Sequence, residues 1–264
     1  MKGSLHKIGI IGGTVTIDES MLKNIRKIKV RTPYGSPSSP ILRGKLGEKE
    51  VFILRRHGEK HTINPSMVNY RANLWAFKKL GVAQVIGVNA VGSLSEEYMP
   101  GDMVFPDQFI DLTKFRKNTF YDGKKVCHIS SADPFCPELR KVLIGSASKL
   151  KLPHHEAGTC VVIEGPRFST RAESGVFRSW NAHIINMTMF PEVILARELE
   201  LCYANISMVT DYDVWRDHPV SNEEVVQTMK KNAEKVRRLL LEAIPKIPRE
   251  RLCACKNALK GAMF

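Results

Sequence analysis

Short apolar runs alternate along the chain with longer amphipathic segments. Apolar runs bounded by turn residues predict buried strands, and these runs lie at Ile8–Ile11, Val51–Leu54, Val85–Val88, Met103–Phe105, Gly158–Ile163, Ile184–Met187 and Ile206–Thr210. Apolar residues at helical spacing predict helices over Val68–Leu80, Pro137–Lys149, Thr170–Trp180, Pro191–Glu200 and Ser221–Ala243. This alternation favours the α/β class, with a central mixed β-sheet flanked by helices and antiparallel strands around Gly44–Leu54.

The length and composition fit one folded unit. The chain has 264 residues, of which 43% are hydrophobic, so it can enclose a sizeable core. No internal repeat, low-complexity tract or linker interrupts the sequence. We therefore expect a single domain over residues 1–264, with a C-terminal helix and a cysteine-containing tail over residues 221–264.

Basic residues outnumber acidic residues by 40 to 27, which gives a formal charge of +13. Such a charge can attract a polyanion or steer a small anionic substrate toward the protein. The lysines and arginines are dispersed, without the interleaved aromatic residues that stack nucleic-acid bases. A small anion is therefore the favoured partner, and a nucleic acid is not expected.

The N-terminal segment is short and polar, and glycines soon interrupt the apolar stretch that follows it. Neither a signal peptide nor a membrane span fits this pattern, so we expect a cytoplasmic protein without a membrane partner. Six cysteines would normally stay reduced in the cytoplasm, although intracellular disulfides occur in thermophiles. Spacing alone leaves both states of the cysteines open.

Hydrogen-bond donors follow several of the predicted strands. The segments in question are Gly12-Gly13-Thr14, Arg56-His57, Asn89-Ala90 and Asn186-Met187-Thr188. Amides, hydroxyls and a guanidinium that converge from strand ends suit an oxyanion such as phosphate. A glycine turn after a strand is also common structural punctuation, so the first of these segments keeps both interpretations.

Asp211 and Asp213 follow the last predicted strand with one residue between them. In extended chain their carboxylates would lie on one face, and the pair would raise the pKa of one member. A carboxyl group with a raised pKa can protonate a departing group near neutrality. The alternative is a surface turn with solvated aspartates, and spacing alone favours that alternative.

Three further observations narrow the chemistry. Phe168 and Ser169 follow another predicted strand and could lie against a flat ligand, although Phe168 could equally belong to the core. His57, His61 and His128 lack the spacing of a zinc site, so no metal is expected. The sequence has no Gly-Lys-Ser/Thr phosphate loop, which disfavours nucleoside triphosphate hydrolysis.

Segments spread over the whole chain carry a family resemblance. They are Ile8–Thr14, Thr32–Gly35, Arg56–Gly58, His61, Val68–Lys78, Asn89–Leu94, Asp107–Asp111, Ala132–Cys136, Ile163–Ser174, Asn186–Glu192 and Thr210–Trp215. In these segments the chain resembles the trimeric-type purine nucleoside phosphorylase superfamily and, within it, the methylthioadenosine phosphorylases of thermophilic archaea. The resemblance implies a mixed, partly barrel-like sheet and a homo-oligomer, either a trimer or a dimer of trimers.

The same resemblance implies phosphorolysis, in which phosphate attacks ribose C1' as the purine leaves, without a cofactor. It assigns phosphate binding to Thr14, Arg56, His57, Asn89, Ala90 (through its backbone) and Thr188. It assigns nucleoside binding to Phe168, Ser169, Met187, Asp211, Asp213, His61, Asn222, Leu259 and, from a neighbouring subunit, His128. Either Asp211 or Asp213 would assist protonation of the leaving base.

The two aspartates also bear on the choice of base. A carboxylate accepts a hydrogen bond from a 6-amino group but meets a 6-oxo group as acceptor against acceptor. Methylthioadenosine and adenosine are therefore the expected substrates, in purine and methionine salvage. A 6-oxopurine or methylthioinosine phosphorylase is the alternative, and a non-catalytic nucleotide-binding or nucleic-acid-binding protein is a more remote one.

Two positions depart from the family pattern near the expected phosphate site. Val15 stands where relatives have glycine, and a β-branched residue resists positive φ, so the turn at Thr14 must be rebuilt if that glycine is left-handed. Asn89 replaces a threonine or serine of many relatives. An amide still donates hydrogen bonds, so we expect an altered phosphate affinity with function retained.

The cysteines of the tail also resemble those of thermophilic archaeal members. The resemblance implies one disulfide between Cys136 and Cys202 and another between Cys253 and Cys255. Closing the long loop of the first pair would stabilise the fold by about 2 to 5 kcal/mol. Cys127 and Cys160 are expected to stay reduced.

Overall fold

A computed structural model describes residues 5–13, 19–216 and 222–264, and it has the predicted α/β architecture. Within these ranges a sheet of eleven strands is flanked by five α-helices. The strands are β1 His6–Gly12, β2 Lys23–Ile28, β3 Ile41–Leu46, β4 Lys49–Arg55, β5 Gln84–Ser93, β6 Met103–Val104, β7 Gln108–Leu112, β8 His154–His155, β9 Thr159–Ile163, β10 Ile184–Asn186 and β11 Cys202–Asp211. The helices are α1 Tyr70–Lys79, α2 Pro137–Lys149, α3 Arg171–Ser179, α4 Met189–Glu198 and α5 Asn222–Ala243.

Each predicted strand and helix is present, most with bounds that differ by a few residues, and the structure adds three strands that were not predicted, β2, β7 and β8. Helix α2 has the predicted bounds, because Pro137 occupies its first turn and the sulfur of Cys136 accepts a hydrogen bond from the Leu139 amide. Strand β5 continues to Ser93, so Asn89 lies inside this strand and does not follow it. Strands β3 and β4 pair antiparallel, as predicted for this region.

Strand β5 organises the sheet and opens the candidate site. Strand β1 runs parallel to the first half of β5 and ends opposite Val88. Strand β10 pairs antiparallel with the other end of β5, at Gly92 and Ser93. Because β1 has ended and β10 has not begun, Asn89–Val91 lie between these two neighbours. Strand β11 runs parallel to β5 on its other edge, as far as Asp211.

Helices cover both faces of the sheet. The two faces of β11 belong to different hydrophobic clusters, as expected for a strand buried on both sides. Ile206 and Met208 pack in the cluster that includes α2 and α5, whereas Tyr203 and Val209 pack in the cluster of α1 and α4. No helix in the described part of the chain is long and apolar enough to cross a membrane.

Four buried cysteines meet where β11, α2 and the C-terminal tail come together. The sulfur atoms of Cys136, Cys202, Cys253 and Cys255 all lie within 4.8 Å of one another. The sulfur of Cys253 is 3.7 Å from that of Cys136 and 3.4 Å from that of Cys202. All four are free thiols in this structure, so the pairing expected from the family resemblance stays a prediction.

Candidate active site

A cavity of about 250 Å³ opens at the carboxyl ends of β1, β4, β9, β10 and β11, beside the second half of β5. This is the position at which open α/β sheets bind ligands. The predicted site residues in its wall are Arg56, His57, His61, Asn89, Ala90, Phe168, Ser169, Met187, Thr188, Asp211 and Asp213. The structure therefore brings residues from five separated segments to one place.

Four predicted site residues are not part of this wall as described. Thr14 lies outside the described residues, and Asn222 begins α5 with a side chain that is also outside them. His128 and Leu259 are described but do not line the cavity of their own chain. They lie near each other, because the amide of His128 donates to the carbonyl of Ala262, and the amide of Ala262 donates to that of Leu259.

The guanidinium of Arg56 is fixed by a buried ion pair. Its Nε and Nη2 donate to the two carboxylate oxygens of Glu192 at 2.5 and 3.0 Å. Nη1 donates to the carbonyl of Val88 and Nη2 also donates to that of Ile11. Both charged side chains are enclosed, with no more than 2% of either exposed. This bidentate arrangement fixes the orientation of Arg56 and offsets its charge.

The side chains of Asn89 and Asn186 orient Thr188. Asn186 Oδ1 accepts hydrogen bonds from the backbone amides of Thr188 and Met189, at 2.6 and 2.7 Å. Asn89 Nδ2 donates to Thr188 Oγ1 at 2.5 Å. Thr188 Oγ1 lies 3.4 Å from Asn186 Oδ1, which is beyond the usual length of an O–H···O bond. The Thr188 hydroxyl can therefore donate its own hydrogen to a ligand.

His57 is a neutral side chain in this site. Its Nδ1 lies 2.8 Å from the carbonyl oxygen of Ile63, so Nδ1 carries the hydrogen and Nε2 is left as an acceptor. Burial, with the adjacent charge of Arg56, lowers the pKa of His57 to about 4. The ring stacks on His61 with the centroids 4.5 Å apart. A neutral imidazole with this tautomer cannot donate to phosphate, so a donor from this residue would be its backbone amide.

A turn brings Asp211 and Asp213 together, and the prediction that they share one face of an extended strand is wrong. Strand β11 ends at Asp211, and Asp213 has φ of +50°. Asp211 Oδ1 accepts from the Asp213 amide at 2.8 Å, and Asp211 Oδ2 accepts from the Thr210 hydroxyl at 2.7 Å. Gly92 allows this approach, because a Cβ there would lie 2.9 Å from Asp211 Oδ1.

The carboxyl group of Asp213 is buried and incompletely hydrogen-bonded. Only 4% of the residue is exposed, and its Oδ2 has no hydrogen-bond partner among the described residues. Burial raises the pKa of Asp213; hydrogen bonding with Ser174 and the Val214 amide opposes this rise, and the charge of Asp211 adds to it. The rise predicted from the sequence is present, but burial and not the neighbouring carboxylate is its larger cause. The group can hold a proton at a pH where a solvated aspartate cannot.

Ser169, Phe168 and Met187 form the wall near the two aspartates. Ser169 Oγ is another buried atom without a partner in the described ranges, and Phe168 lines the cavity beside it. Gly165, with φ of +66°, gives Met187 room, because a Cβ there would lie 2.7 Å from the Met187 sulfur. This part of the wall combines an aromatic ring, a thioether and unpaired polar atoms, which suits a flat polar heterocycle.

Several residues of the site were not predicted. Glu192 and Arg116 lie behind the wall; Arg116 Nη1 donates to the carbonyl of Met187 at 2.7 Å and fixes that segment. Val225 and Met229 of α5 line the cavity itself. Their i, i+4 spacing on an amphipathic helix is a signal that was available in the sequence, whereas nothing local marks Glu192 or Arg116.

Comparison with known proteins places the chain in a family. A profile described as the phosphorylase superfamily matches residues 7–245. The chain belongs to this superfamily. It is 59% identical to the S-methyl-5'-thioadenosine phosphorylase of Pyrococcus horikoshii, over 97% of this chain and 98% of that protein. It is 55% identical to the protein of that name from Thermofilum pendens, over 98% of each.

Solved structures of phosphorylases agree with the fold. A methylthioadenosine phosphorylase of Schistosoma mansoni in complex with adenine superposes with a TM-score of 0.92 at 40% identity, covering 97% of this chain and 96% of that one. A methylthioadenosine phosphorylase from an Antarctic soil metagenomic library also has a TM-score of 0.92, at 43% identity, covering 98% of this chain and 92% of that one. The nucleoside phosphorylase fold expected from the sequence is confirmed.

Proposed function

We propose that this chain catalyses the phosphorolysis of 5'-methylthioadenosine to adenine and 5-methylthioribose 1-phosphate, and of adenosine to adenine and ribose 1-phosphate. The relatives that carry the methylthioadenosine phosphorylase name support the reaction. The observation that carries it is one cavity that joins a fixed set of hydrogen-bond donors to a buried carboxyl of raised pKa. The enzyme is a pentosyltransferase that uses phosphate as co-substrate and needs no cofactor.

The donor-rich end of the cavity would hold phosphate. Arg56 supplies a fixed guanidinium, Thr188 a hydroxyl whose hydrogen is free to point at the ligand, and Asn89 the second hydrogen of its amide. His57 and Ala90 would contribute backbone amides, since the His57 ring presents an acceptor. The expected role of Thr14 remains a prediction. The charge of +13 would draw the anion toward the protein.

The chemistry follows from these positions. Phosphate attacks ribose C1' as the bond to the purine breaks, and its negative charge stabilises the positive ribosyl centre that develops. A purine anion is a poor leaving group, so a proton or strong hydrogen bond at N7 lowers the barrier. One of Asp211 and Asp213 would supply that proton, and the raised pKa of Asp213 favours Asp213. Met187 would lie against the ribose, and Phe168 with Ser169 against the base.

The same two aspartates support an aminopurine as the leaving base. Asp213 Oδ2 is a buried acceptor with no hydrogen bond of normal geometry among the described residues, and a 6-amino group would donate one. A 6-oxo group would place an acceptor against it and leave both atoms unpaired. Inosine and guanosine would therefore be poor substrates.

The 5'-substituent would meet a mixed wall. His61, Val225 and Met229 line this cavity from the described part of the chain. Asn222, Leu259 and His128 complete the pocket in our proposal, with His128 and Leu259 reaching it from a neighbouring subunit. Their position outside the cavity of their own chain supports a homo-oligomer, a trimer or a dimer of trimers. Light scattering coupled to gel filtration tests this; a monomer with full activity would contradict it.

The remaining proposals concern the whole chain. We propose one domain over residues 1–264, and the packing of α5 against β11 and α2 supports it. We also propose a cytoplasmic location. We also propose the disulfides Cys136–Cys202 and Cys253–Cys255, for which the clustering of the four sulfurs is the support. Counting free thiols in the unfolded, unreduced protein tests whether these two disulfides form. With both disulfides formed, only Cys127 and Cys160 react as free thiols. Reaction of all six cysteines, or a metal ion bound by the four clustered sulfurs, would contradict the proposal.

One assay tests the proposed function. Methylthioadenosine, adenosine and inosine are each incubated with the protein, with and without phosphate, and the free base is measured. We expect adenine release from the first two substrates only when phosphate is present. Base release without phosphate, or a preference for inosine, would contradict the proposal.

A further inference from the structure

A continuous set of buried hydrogen bonds runs behind the phosphate end of the cavity. Glu192, which pairs with Arg56, accepts from the Tyr203 hydroxyl at 2.9 Å. Tyr203 Oη accepts from Asn205 Nδ2 at 3.2 Å, and Asn205 Nδ2 also donates to Asn89 Oδ1 at 2.5 Å. Of the described residues in this set, Glu192, Tyr203 and Asn205 are not part of the cavity wall.

The charge of Glu192 fixes the direction of every hydrogen bond in the set. A carboxylate bound to a guanidinium can only accept, so Tyr203 must donate to it. Burial, together with the charge of Glu192, raises the pKa of Tyr203 well above its usual value, so the phenol keeps its hydrogen. Since that hydrogen is used, Tyr203 Oη must accept, and the amide nitrogen of Asn205 must face it.

The same direction passes to the cavity through Asn89. Asn205 Nδ2 faces Asn89, so Asn89 must turn its oxygen toward Asn205 and its amide nitrogen toward Thr188. Thr188 Oγ1 then accepts a hydrogen bond from Asn89, and its own hydrogen is left to donate to a ligand. Ser207 supports the arrangement from the far side, because its hydroxyl donates to Asn205 Oδ1 at 2.9 Å. The remaining hydrogens of Asn89 and Thr188 are therefore the ones available to an anion.

Strand β5 is adapted to this set of bonds at Gly87. A Cβ at this position would lie 2.2 Å from Tyr203 Oη and 2.6 Å from Asn205 Nδ2. Any other residue would therefore displace both side chains. Glycine weakens a strand interior and is found where other groups approach the backbone closely. Its presence between Ile86 and Val88, both fully buried, is explained by the space that the two polar side chains need.

We infer that Tyr203 and Asn205 are positioning residues for phosphate, which act through Glu192 and Asn89 and keep donors, not acceptors, directed at the anion. The inference rests on the proposed function. Neither residue touches the nucleoside part of the cavity, so their loss would weaken phosphate binding selectively. A purely structural role would lower stability without separating the two substrates.

The test is the steady-state kinetics of Tyr203→Phe, which removes one hydroxyl and little volume. We expect the KM for phosphate to rise about tenfold, with the KM for methylthioadenosine unchanged within about twofold. The matched control is Tyr98→Phe, because Tyr98 is also buried and its hydroxyl donates to the carbonyl of Ala157, outside this set of bonds. The control should change neither KM.

A second variant covers poor folding of the first. Ser207→Ala removes the most distant bond of the set, and we expect a rise of roughly two- to threefold in the phosphate KM alone. An unchanged phosphate KM in folded Tyr203→Phe would overturn the inference. If Tyr203→Phe does not fold, an unchanged phosphate KM in Ser207→Ala would overturn it. An equal rise in the KM values for phosphate and methylthioadenosine would also overturn it. Wild-type protein without phosphate-dependent release of adenine would instead overturn the proposed function.

Discussion

The polar side chains at the two ends of the cavity differ in their hydrogen bonding. At the phosphate end, the side chains of Arg56, Asn89 and Thr188 are already hydrogen-bonded to one another or to buried partners. At the base end, Asp213 Oδ2 and Ser169 Oγ are buried without a partner among the described residues. The first end is organised before substrate arrives, whereas the second is completed by it.

This difference matches what each ligand demands. Phosphate is a small, symmetric anion, so binding it depends on donors held in advance, and their disorder would cost affinity. The purine offers a fixed pattern of donors and acceptors, so unpaired protein groups can select it by rejecting bases that leave them unpaired. Specificity is therefore expected at the base end, and co-substrate affinity at the phosphate end.

Removing both aspartates should have the largest effect and should be confined to one end. For the double variant Asp211→Ala, Asp213→Ala, we expect kcat/KM for methylthioadenosine to fall by roughly 10²- to 10⁴-fold, because the leaving base loses its proton donor. Direct binding of phosphate, measured by calorimetry, should change little. Loss of phosphate binding of similar size would show that the two ends are not independent.

Substitutions at the two ends of the cavity should also differ in their effect on the free energy of unfolding. Glu192→Ala leaves a buried guanidinium without its partner, so we expect a loss of about 3 to 5 kcal/mol in the free energy of unfolding. Ser169→Ala removes a hydroxyl that has no hydrogen-bond partner among the described residues, so we expect a change within about 0.5 kcal/mol. Denaturant titration of both variants checks this. Equal losses would contradict the contrast between the two ends.

Acid should weaken the fold through His57. Its pKa is about 4 in the folded protein, against 6.5 for an ordinary solvated histidine, so the unfolded state binds the extra proton first as pH falls. The stability that His57 contributes is complete above the higher value and is lost as pH falls toward the lower one, by up to about 1.4 kcal/mol per pH unit. Unfolding free energies across this window should depend less on pH in His57→Gln. An unchanged slope would show that other groups dominate.

A further predicted change concerns the choice of base. Asp213→Asn replaces an acceptor by an amide that can also donate, so we expect the preference for adenosine over inosine to fall by about tenfold. Ratios of kcat/KM for the two nucleosides measure it. An equal loss for both substrates would mean that Asp213 does not distinguish the bases.

The sequence predicted the wall of the cavity better than its support. Donor residues such as Arg56 and Thr188 follow strands that were recognisable from their apolar runs, and the carboxyl ends of strands meet at one edge of a sheet. Glu192, which fixes Arg56, lies 136 positions away in the chain. No local pattern connects two such positions, and only the folded structure reveals the pair.

The sequence of strand β11 carries a signal of its buried polar side chains. Tyr203, Asn205 and Ser207 alternate with apolar residues, and all three are buried. Polar residues at i, i+2 and i+4 of a buried strand share one face and need polar partners there. Strand β2 was not predicted, because its sequence lacks such a signal. It is exposed along most of its length, so it has no apolar alternation to recognise.

The most direct test of the account is the identity of the sugar product. Phosphorus NMR of a reaction containing the protein, methylthioadenosine and inorganic phosphate should show a new sugar phosphate accumulating in step with free adenine. That result would place phosphate as the nucleophile at C1'. Adenine released with no sugar phosphate would mean that water attacks instead, and it would contradict the assignment of the donor-lined end of the cavity to phosphate.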